Sequence, residues 1–114
     1  MSNTLPSIDV QQLNSLIEKG EAPYLLDVRE ENEHAIASLP NAVLVPMSKI
    51  AQEGAEALPG DLKDQGEIVV YCKVGGRSAQ ITGWLLSQGI DQVKNLDGGI
   101  DAWAREIDTE MPTY

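Results

Sequence analysis

The residue best suited to covalent chemistry in this chain is Cys72, the only cysteine among the 114 residues. It directly follows an apolar segment, residues 68–71, and two glycines and an arginine follow it within five residues. The β-branched and aromatic residues of that segment form a run too short for a helix, and they predict a buried parallel strand. A nucleophilic thiol is therefore expected where a strand ends and a loop begins.

The loop after Cys72 has the composition of an anion-binding turn. Its residues are Lys73, Val74, Gly75, Gly76, Arg77 and Ser78. The two glycines lack a Cβ, so the backbone there can adopt positive φ and turn its N–H groups inward. A helix is predicted to begin with Ser78 near its N-cap, and the N–H groups of its first turn have no partner inside the helix. These donors, together with the two cations, favour a thiolate over a thiol.

A lone cysteine has a second interpretation that needs no chemistry. Most single cysteines in intracellular proteins are small buried hydrophobic residues. In this chain a strand, a glycine-containing loop, an arginine and a helix start all occur around one cysteine. That combination favours a reactive Cys72.

Short apolar strands and amphipathic helices alternate along the chain. Strands are predicted at residues 24–26, 42–45, 68–71 and 92–95, and helices after Asp9, after Glu30, from Ser48, from Ser78 to Gln88 and from Gly99 to Glu106. The spacing of Asp9 and Gln12 predicts a capping box. The alternation predicts an α/β fold with a central parallel sheet and helices on both faces. Active sites in such folds lie beyond the carboxyl ends of the strands, which is where Cys72 falls.

Length and charge narrow the possible functions further. The length predicts a single domain over residues 1–114. A net charge of −10 argues against nucleic acid and anionic membranes as partners. No secretory signal is visible, and no apolar run approaches the roughly 20 residues of a membrane span. One cysteine excludes an internal disulfide, so a reducing, cytoplasmic location is expected. The acidic run 30–33 is interpreted as a solvated face.

Three segments of the chain together resemble the rhodanese (sulfurtransferase) family. Residues 71–78 resemble the active-site loop of that family, residues 25–29 resemble its early strand-and-turn signature, and residues 95–103 resemble its C-terminal signature. The segments lie in the family's order, and the chain has about the length of one such domain. The resemblance therefore covers the whole chain.

The resemblance implies a rhodanese-like fold and a sulfurtransferase without metal or organic cofactor. In this family the active-site cysteine carries a persulfide, which implies that role for Cys72, with residues 73–78 binding the outer sulfur. The sulfur would come from thiosulfate or a protein persulfide and pass to a thiophilic acceptor. Asp27 and Arg29 could contact substrate or hold a turn, and the resemblance favours structural support of the loop. His34 could form a dyad with Cys72, but the family needs no histidine, so His34 is expected to pack.

Residues 36–42 depart from the common pattern of the family. Ser38 stands where many members have a histidine, and nothing in the sequence indicates what it does. Pro40 keeps the turn, and Asn41 tolerates positive φ there. The form of residues 36–40 and of the tail 102–114 resembles the rhodanese domain fused behind E1-like adenylyltransferases. A ubiquitin-like sulfur carrier, or the adenylyltransferase that activates it, is therefore an expected partner.

Two other functions remain compatible with the motif. Phosphatases of the dual-specificity type and arsenate reductases use Cys-x₅-Arg loops, whereas Cys72 and Arg77 have the shorter spacing Cys-x₄-Arg. The shorter loop suits a single sulfur atom better than the three peripheral oxygens of a phosphoryl group. The second alternative is a non-catalytic binding module, although such domains often lack the cysteine.

Overall fold

A computed structural model describes residues 5–114, and its centre is a five-stranded sheet in which all strand pairs are parallel. The strands are β1 (Ser7–Ile8), β2 (Tyr24–Asp27), β3 (Val43–Leu44), β4 (Ile68–Tyr71) and β5 (Val93–Leu96). Their order in the sheet is β1-β5-β4-β2-β3. The middle strand β4 is buried along its whole length, which is why its residues are continuously apolar.

Helices cover both faces of this sheet. They are α1 (Val10–Glu18), α2 (Glu31–Ile36), α3 (Met47–Glu53), α4 (Gly76–Ser87) and α5 (Gly99–Glu106), with short 3₁₀ segments at Gly54–Ala57 and Leu62–Asp64. One hydrophobic cluster joins α1 and α5 to the sheet, and a second joins α3 and α4 to the opposite face. The predicted α/β architecture, with helices on both faces of a parallel sheet, is confirmed.

The register of the central strands aligns their carboxyl ends, so that all three strands finish at the same end of the sheet. Asp27 on β2 pairs with Tyr71 on β4, and Val70 pairs with Asn95 on β5. Within β4, alternate residues face opposite clusters, so Val70 and Cys72 belong to one cluster and Tyr71 to the other. The carboxyl ends of β2 and β5 therefore lie beside Cys72, which follows β4.

Local capping signals account for the start of α1 and the end of α4. In α1, the predicted capping box forms, because Asp9 Oδ1 accepts from the Gln12 N–H at 2.8 Å and Gln12 Oε1 accepts from the Asp9 N–H at 3.0 Å. Helix α4 ends as predicted, with Gly89 in the left-handed region after Gln88. Asn41 also adopts the expected positive φ, at 62°.

Two predicted helix starts are wrong. Ser48 does not cap α3, because the helix begins one residue earlier and Pro46 occupies the N-cap; the Glu30 carboxylate instead accepts bonds from the Ser48 N–H and hydroxyl. Helix α4 begins at Gly76 with Gly75 as N-cap, so Ser78 lies inside the first turn. In both cases a residue with a suitable backbone conformation precedes the serine and starts the helix before it.

No helix within residues 5–114 combines the length and the apolar character that a bilayer crossing requires.

Candidate active site

Cys72 lies at the carboxyl end of β4, with its side chain fully buried and its thiol free. Three hydrogen-bond donors lie within reach of its Sγ: the Gly75 N–H at 3.1 Å, the Ser78 N–H at 3.4 Å and the Ser78 hydroxyl at 3.3 Å. Burial alone would raise the pKa of the Cys72 thiol, but these donors outweigh burial and lower the pKa below its ordinary value of 9.0. The surroundings of Cys72 therefore favour an anionic sulfur.

The loop curls around the sulfur because of one glycine rather than two. Gly75 has a φ of +114°, which an L-residue with a side chain rarely adopts, and this conformation turns its N–H towards Cys72. Gly76, also expected at positive φ, is instead the first residue of α4, and a Cβ added to it would meet nothing within 4 Å. Of loop residues 73–78, Gly75 and Ser78 donate directly to Sγ.

The start of α5 holds the backbone of the loop from the other side. The N–H groups of Ile100 and Asp101 donate to the carbonyls of Cys72 and Lys73, both at 3.0 Å. A Cβ on Gly99 would collide with those same two carbonyls, so only glycine permits this approach. The segment that resembles a family signature in the sequence is thus a structural support of the Cys72 loop.

Asp27 and Arg29 form a buried ion pair, here called the brace, beside the loop. Both side chains are fully buried, and Arg29 grips the two Asp27 carboxylate oxygens through Nε at 3.0 Å and Nη2 at 2.7 Å. Arg29 also donates to the carbonyls of Glu33 and Ala37 and to the Tyr114 hydroxyl. All five N–H groups of its guanidinium are used. The brace therefore joins the end of β2 to α2, to the following turn and to the tail.

The Asp27 carboxylate also binds two other side chains. Its Oδ2 accepts from the Tyr71 hydroxyl at 3.0 Å and lies 2.8 Å from His34 Nδ1. Burial would raise the pKa of Asp27, but the hydrogen bonds from Arg29 and His34 lower it below its ordinary value. His34 is thus more than the packing residue expected, and within residues 5–114 it makes no hydrogen bond to Cys72. Ser38 is half-buried in the turn next to the brace.

Arg77 and Glu33 form a second ion pair, here called the clamp, between α4 and α2. The Arg77 guanidinium binds both Glu33 oxygens, at 2.7 and 3.0 Å, and this pairing lowers the pKa of Glu33 to about 2. The Tyr114 hydroxyl donates to Glu33 at 2.8 Å while accepting from Arg29 at 3.0 Å. Glu33 is therefore not part of a simple solvated face, as the sequence indicated, but connects the loop to the brace.

Lys73 is held at the outer side of the loop. Its Nζ lies 3.6 Å from an Asp101 carboxylate oxygen and 5.0 Å from the centroid of the Tyr114 ring. Since Arg77 is paired with Glu33, each loop cation has a carboxylate partner. The positive electrostatic potential around the loop is therefore smaller than the sequence alone indicates.

Asn95, Glu33 and Tyr114 belong to the site although sequence reasoning did not select them. Asn95 Oδ1 accepts from the Ser78 hydroxyl at 2.5 Å, and its Nδ2 donates to the Gly75 carbonyl at 3.4 Å. The signal for Asn95 was its position at the start of the C-terminal signature. No signal in the sequence pairs Glu33 or Tyr114 with the loop.

Within the part of the chain that the structure describes, no group of three or more His, Cys, Asp or Glu side chains is arranged to hold a metal ion. The contacts around Cys72 support the chemistry of a buried thiol whose anionic form is stabilised by hydrogen-bond donors.

The sequence matches the family model described as Rhodanese-like domain over residues 9–106. The chain therefore belongs to the rhodanese-like domain family. A sulfurtransferase of Allochromatium vinosum is 38% identical over 98 residues, which cover 86% of this chain and 87% of that protein. The solved structure of the human single-domain sulfurtransferase TSTD1 superposes with a TM-score of 0.69 at 26% identity, covering 90% of this chain and 98% of that one.

Relatives of a different size contain the domain as one part. The adenylyltransferase and sulfurtransferase MOCS3-1 of Zea mays is 34% identical over 118 residues, which cover 98% of this chain and 25% of that protein. The chain spans about a quarter to about a third of the length of several curated relatives that it matches. The subgroup expected from the sequence is thus represented among the relatives.

Proposed function

We propose that this protein is a sulfurtransferase that carries sulfane sulfur as a persulfide on Cys72. The observation that carries this proposal is the set of three donors, from Gly75 and Ser78, within hydrogen-bond distance of one buried sulfur atom. Sulfurtransferases among the relatives of similar length support the same reaction class. The donor is thiosulfate or a protein persulfide.

The reaction is a double displacement. The Cys72 thiolate attacks the outer sulfur of the donor, a new S–S bond forms, and the bond between that sulfur and the rest of the donor breaks. With thiosulfate the leaving group is sulfite, and the enzyme is left as Cys72–S–S⁻. An acceptor such as cyanide or a thiolate then attacks the outer sulfur, and the Cys72 thiolate is regenerated. The donors of the loop stabilise the anion at each stage, as an oxyanion hole does.

Intact mass of the protein after incubation with thiosulfate tests the proposal directly. We expect the folded protein to gain one sulfur atom and to lose it again on addition of cyanide, with thiocyanate formed. Because Cys72 is the only cysteine, Cys72→Ser is a matched control that should keep the fold and gain no sulfur. A folded wild-type protein that gains no sulfur from either thiosulfate or a persulfide donor contradicts the assignment and favours a binding module. A Cys72→Ser variant that still gains sulfur contradicts the assignment of the persulfide to Cys72.

The proposed physiological acceptor is a ubiquitin-like sulfur carrier or the adenylyltransferase that activates it. The support is the relatives of the adenylyltransferase and sulfurtransferase type, in which a domain like this one occurs within a longer protein. In this reaction the outer sulfur of Cys72–S–S⁻ attacks the carbonyl carbon of the adenylated carboxyl-terminal glycine of the carrier, and AMP leaves. A thiol reductant then cleaves the S–S bond, so that the glycine keeps the sulfur as a thiocarboxylate, the reductant is oxidised to a disulfide and the Cys72 thiolate is regenerated. We place the reaction in the cytoplasm, because a persulfide cycle needs its thiol kept reduced.

Labelled persulfide tests the choice of acceptor. Protein loaded with ³⁵S-thiosulfate and freed of excess reagent should pass label to an adenylated carrier of the same organism, and not to the same carrier without adenylation. Transfer to small thiols alone would exclude the carrier while leaving the sulfurtransferase reaction intact.

A further inference from the structure

The Ser78 hydroxyl has one hydrogen and two acceptors within reach. Its Oγ lies 2.5 Å from Asn95 Oδ1 and 3.3 Å from Cys72 Sγ. Ser78 and Cys72 are fully buried and Asn95 is 7% exposed, so water does not supply a competing partner. The hydrogen therefore points to one of the two acceptors at a time, and the shorter contact favours Asn95.

Asn95 is fixed well enough to control this choice. It lies on β5 in register with Val70 of β4, and its backbone N–H donates to the Pro6 carbonyl at 2.9 Å. Its side-chain Nδ2 donates to the Gly75 carbonyl at 3.4 Å. One side chain thus contacts both residues whose donors face the sulfur.

We propose that Asn95 is a positioning residue that sets the direction of the Ser78 hydroxyl and so adjusts the site to the charge on sulfur. In the arrangement that the shorter contact favours, Ser78 gives its hydrogen to Asn95 and turns an oxygen lone pair towards Cys72. That arrangement suits a neutral thiol, whose S–H can donate to the hydroxyl oxygen. The importance of Asn95 for sulfur transfer rests on the function proposed above.

An anionic sulfur calls for the opposite arrangement. A half-turn of the Asn95 amide exchanges Oδ1 and Nδ2, so that the amide donates to Ser78 and the hydroxyl donates to the sulfur. The half-turn gives up the 3.4 Å bond to the Gly75 carbonyl, which is long and therefore weak. The half-turn of the amide itself breaks no covalent bond. The proton of the thiol leaves to solvent when Cys72 ionises, and Ser78 keeps its own hydrogen.

The test is the pH dependence of Cys72 alkylation by iodoacetamide in four proteins: wild type, Asn95→Leu, Ser78→Ala and the double variant. Leucine keeps the branching and the number of heavy atoms of asparagine, although it is larger, and it cannot accept the hydrogen of Ser78. We expect Asn95→Leu to lower the pKa of Cys72 by about half a unit, which is roughly threefold more thiolate below the pKa. Ser78→Ala should raise the pKa, and adding Asn95→Leu to it should cause no further shift.

Two more variants guard against a purely structural effect. Asn95→Asp keeps the shape but only accepts, so it should raise the pKa of Cys72, and by more when Ser78 is present than when it is alanine. Thr82→Val removes a buried hydroxyl that binds the Ser78 carbonyl at 2.8 Å, and it should leave the pKa unchanged. The charged groups around the loop are Arg77 with Glu33 and Lys73 with Asp101, and none of the variants alters them.

The outcomes separate the inference from the proposed function. Equal shifts from an Asn95 substitution with and without the Ser78 hydroxyl would overturn the inference, as would a rise in pKa for Asn95→Leu. If Asn95→Leu does not give native circular dichroism, Asn95→Asp decides by the same comparison in the two Ser78 backgrounds. Alkylation reports the thiol whether or not sulfur is transferred, whereas the mass gain from thiosulfate reports the function alone.

Discussion

Replacing Arg29 with lysine should destabilise the protein strongly although the charge is kept. Arg29 is fully buried, and its five N–H groups bind Asp27 twice, the Glu33 and Ala37 carbonyls and the Tyr114 hydroxyl. A lysine ammonium has three donors on a single nitrogen and cannot match this planar arrangement. Arg29→Lys therefore leaves at least two acceptors around the brace without a partner.

The size of the loss follows from those acceptors. A buried acceptor left without a hydrogen bond costs about 1–3 kcal/mol, so two of them reduce the free energy of unfolding by about 2–6 kcal/mol. Domains of this size have about 5–15 kcal/mol in total. With a urea m-value of about 1–3 kcal/mol/M, the unfolding midpoint should fall by roughly 1–3 M.

Equilibrium urea unfolding followed by tryptophan fluorescence measures this loss. Arg105→Lys is the matched control, because the Arg105 side chain is 67% exposed and its nearest carboxylate oxygen, on Glu106, is 3.9 Å away. It should change stability by no more than about 0.5 kcal/mol. A loss below about 1 kcal/mol for Arg29→Lys would refute the reasoning, since the five hydrogen bonds would then have no large net effect.

The Asp27–Arg29 brace also predicts how the stability of the protein changes in acid. The folded-state pKa of Asp27 lies below its ordinary value of 3.8, so ionised Asp27 stabilises the fold above that value. This contribution is lost as the pH falls below 3.8 through the folded-state pKa. The difference in stability between wild type and Arg29→Lys should therefore stay nearly constant from pH 5 to about 4 and shrink as the pH is lowered below 3.8. A difference that stays constant at the lower pH as well would show that Asp27 is not the partner that matters.

Three further predictions concern the loop and the clamp. Glu33→Gln should lower the KM for thiosulfate and Arg77→Ala should raise it, each roughly three- to tenfold, because the first frees a cation and the second leaves an unpaired carboxylate. Gly75→Ala should lower both stability and sulfur transfer, whereas Gly76→Ala should be neutral or stabilising by up to about 1 kcal/mol, as expected for a helical position. The wild-type protein should transfer sulfur from thiosulfate to cyanide and show no turnover of an aryl phosphate, since its Cys-x₄-Arg loop is one residue shorter than the Cys-x₅-Arg loop of the phosphatases. Initial-rate kinetics and thermal unfolding measure all of these effects.

Each of these predictions has its own contradicting result. If both clamp variants change KM in the same direction, the clamp acts by holding the loop in shape and not by its charge. If Gly75→Ala and Gly76→Ala behave alike, the positive φ of Gly75 does not shape the site. Turnover of an aryl phosphate by the wild-type protein would favour the phosphatase interpretation over sulfur transfer.

The sequence by itself determined the parts of this protein that depend on neighbours along the chain. The run Ile68–Tyr71 forms a buried strand because β-branched and aromatic residues suit a pleat covered on both faces. Asp9 and Gln12 cap α1 because they stand three residues apart. The alternation of strands and helices fixed the fold class, and the order strand, loop and helix placed Cys72 beyond the end of its strand.

Only the tertiary structure decided which distant side chains complete the site. Glu33 and Arg77 are 44 residues apart, Arg29 and Tyr114 are 85 apart, and Ser78 and Asn95 are 17 apart. Glu33 occurs in an acidic run that resembles a solvated helix face. No residue near it in the sequence indicates that Arg77 is its partner. These pairs meet because the strand order β1-β5-β4-β2-β3 makes β5, β4 and β2 neighbours, so that their carboxyl ends lie side by side. That order follows from how the whole chain buries its apolar surface, which no short segment encodes.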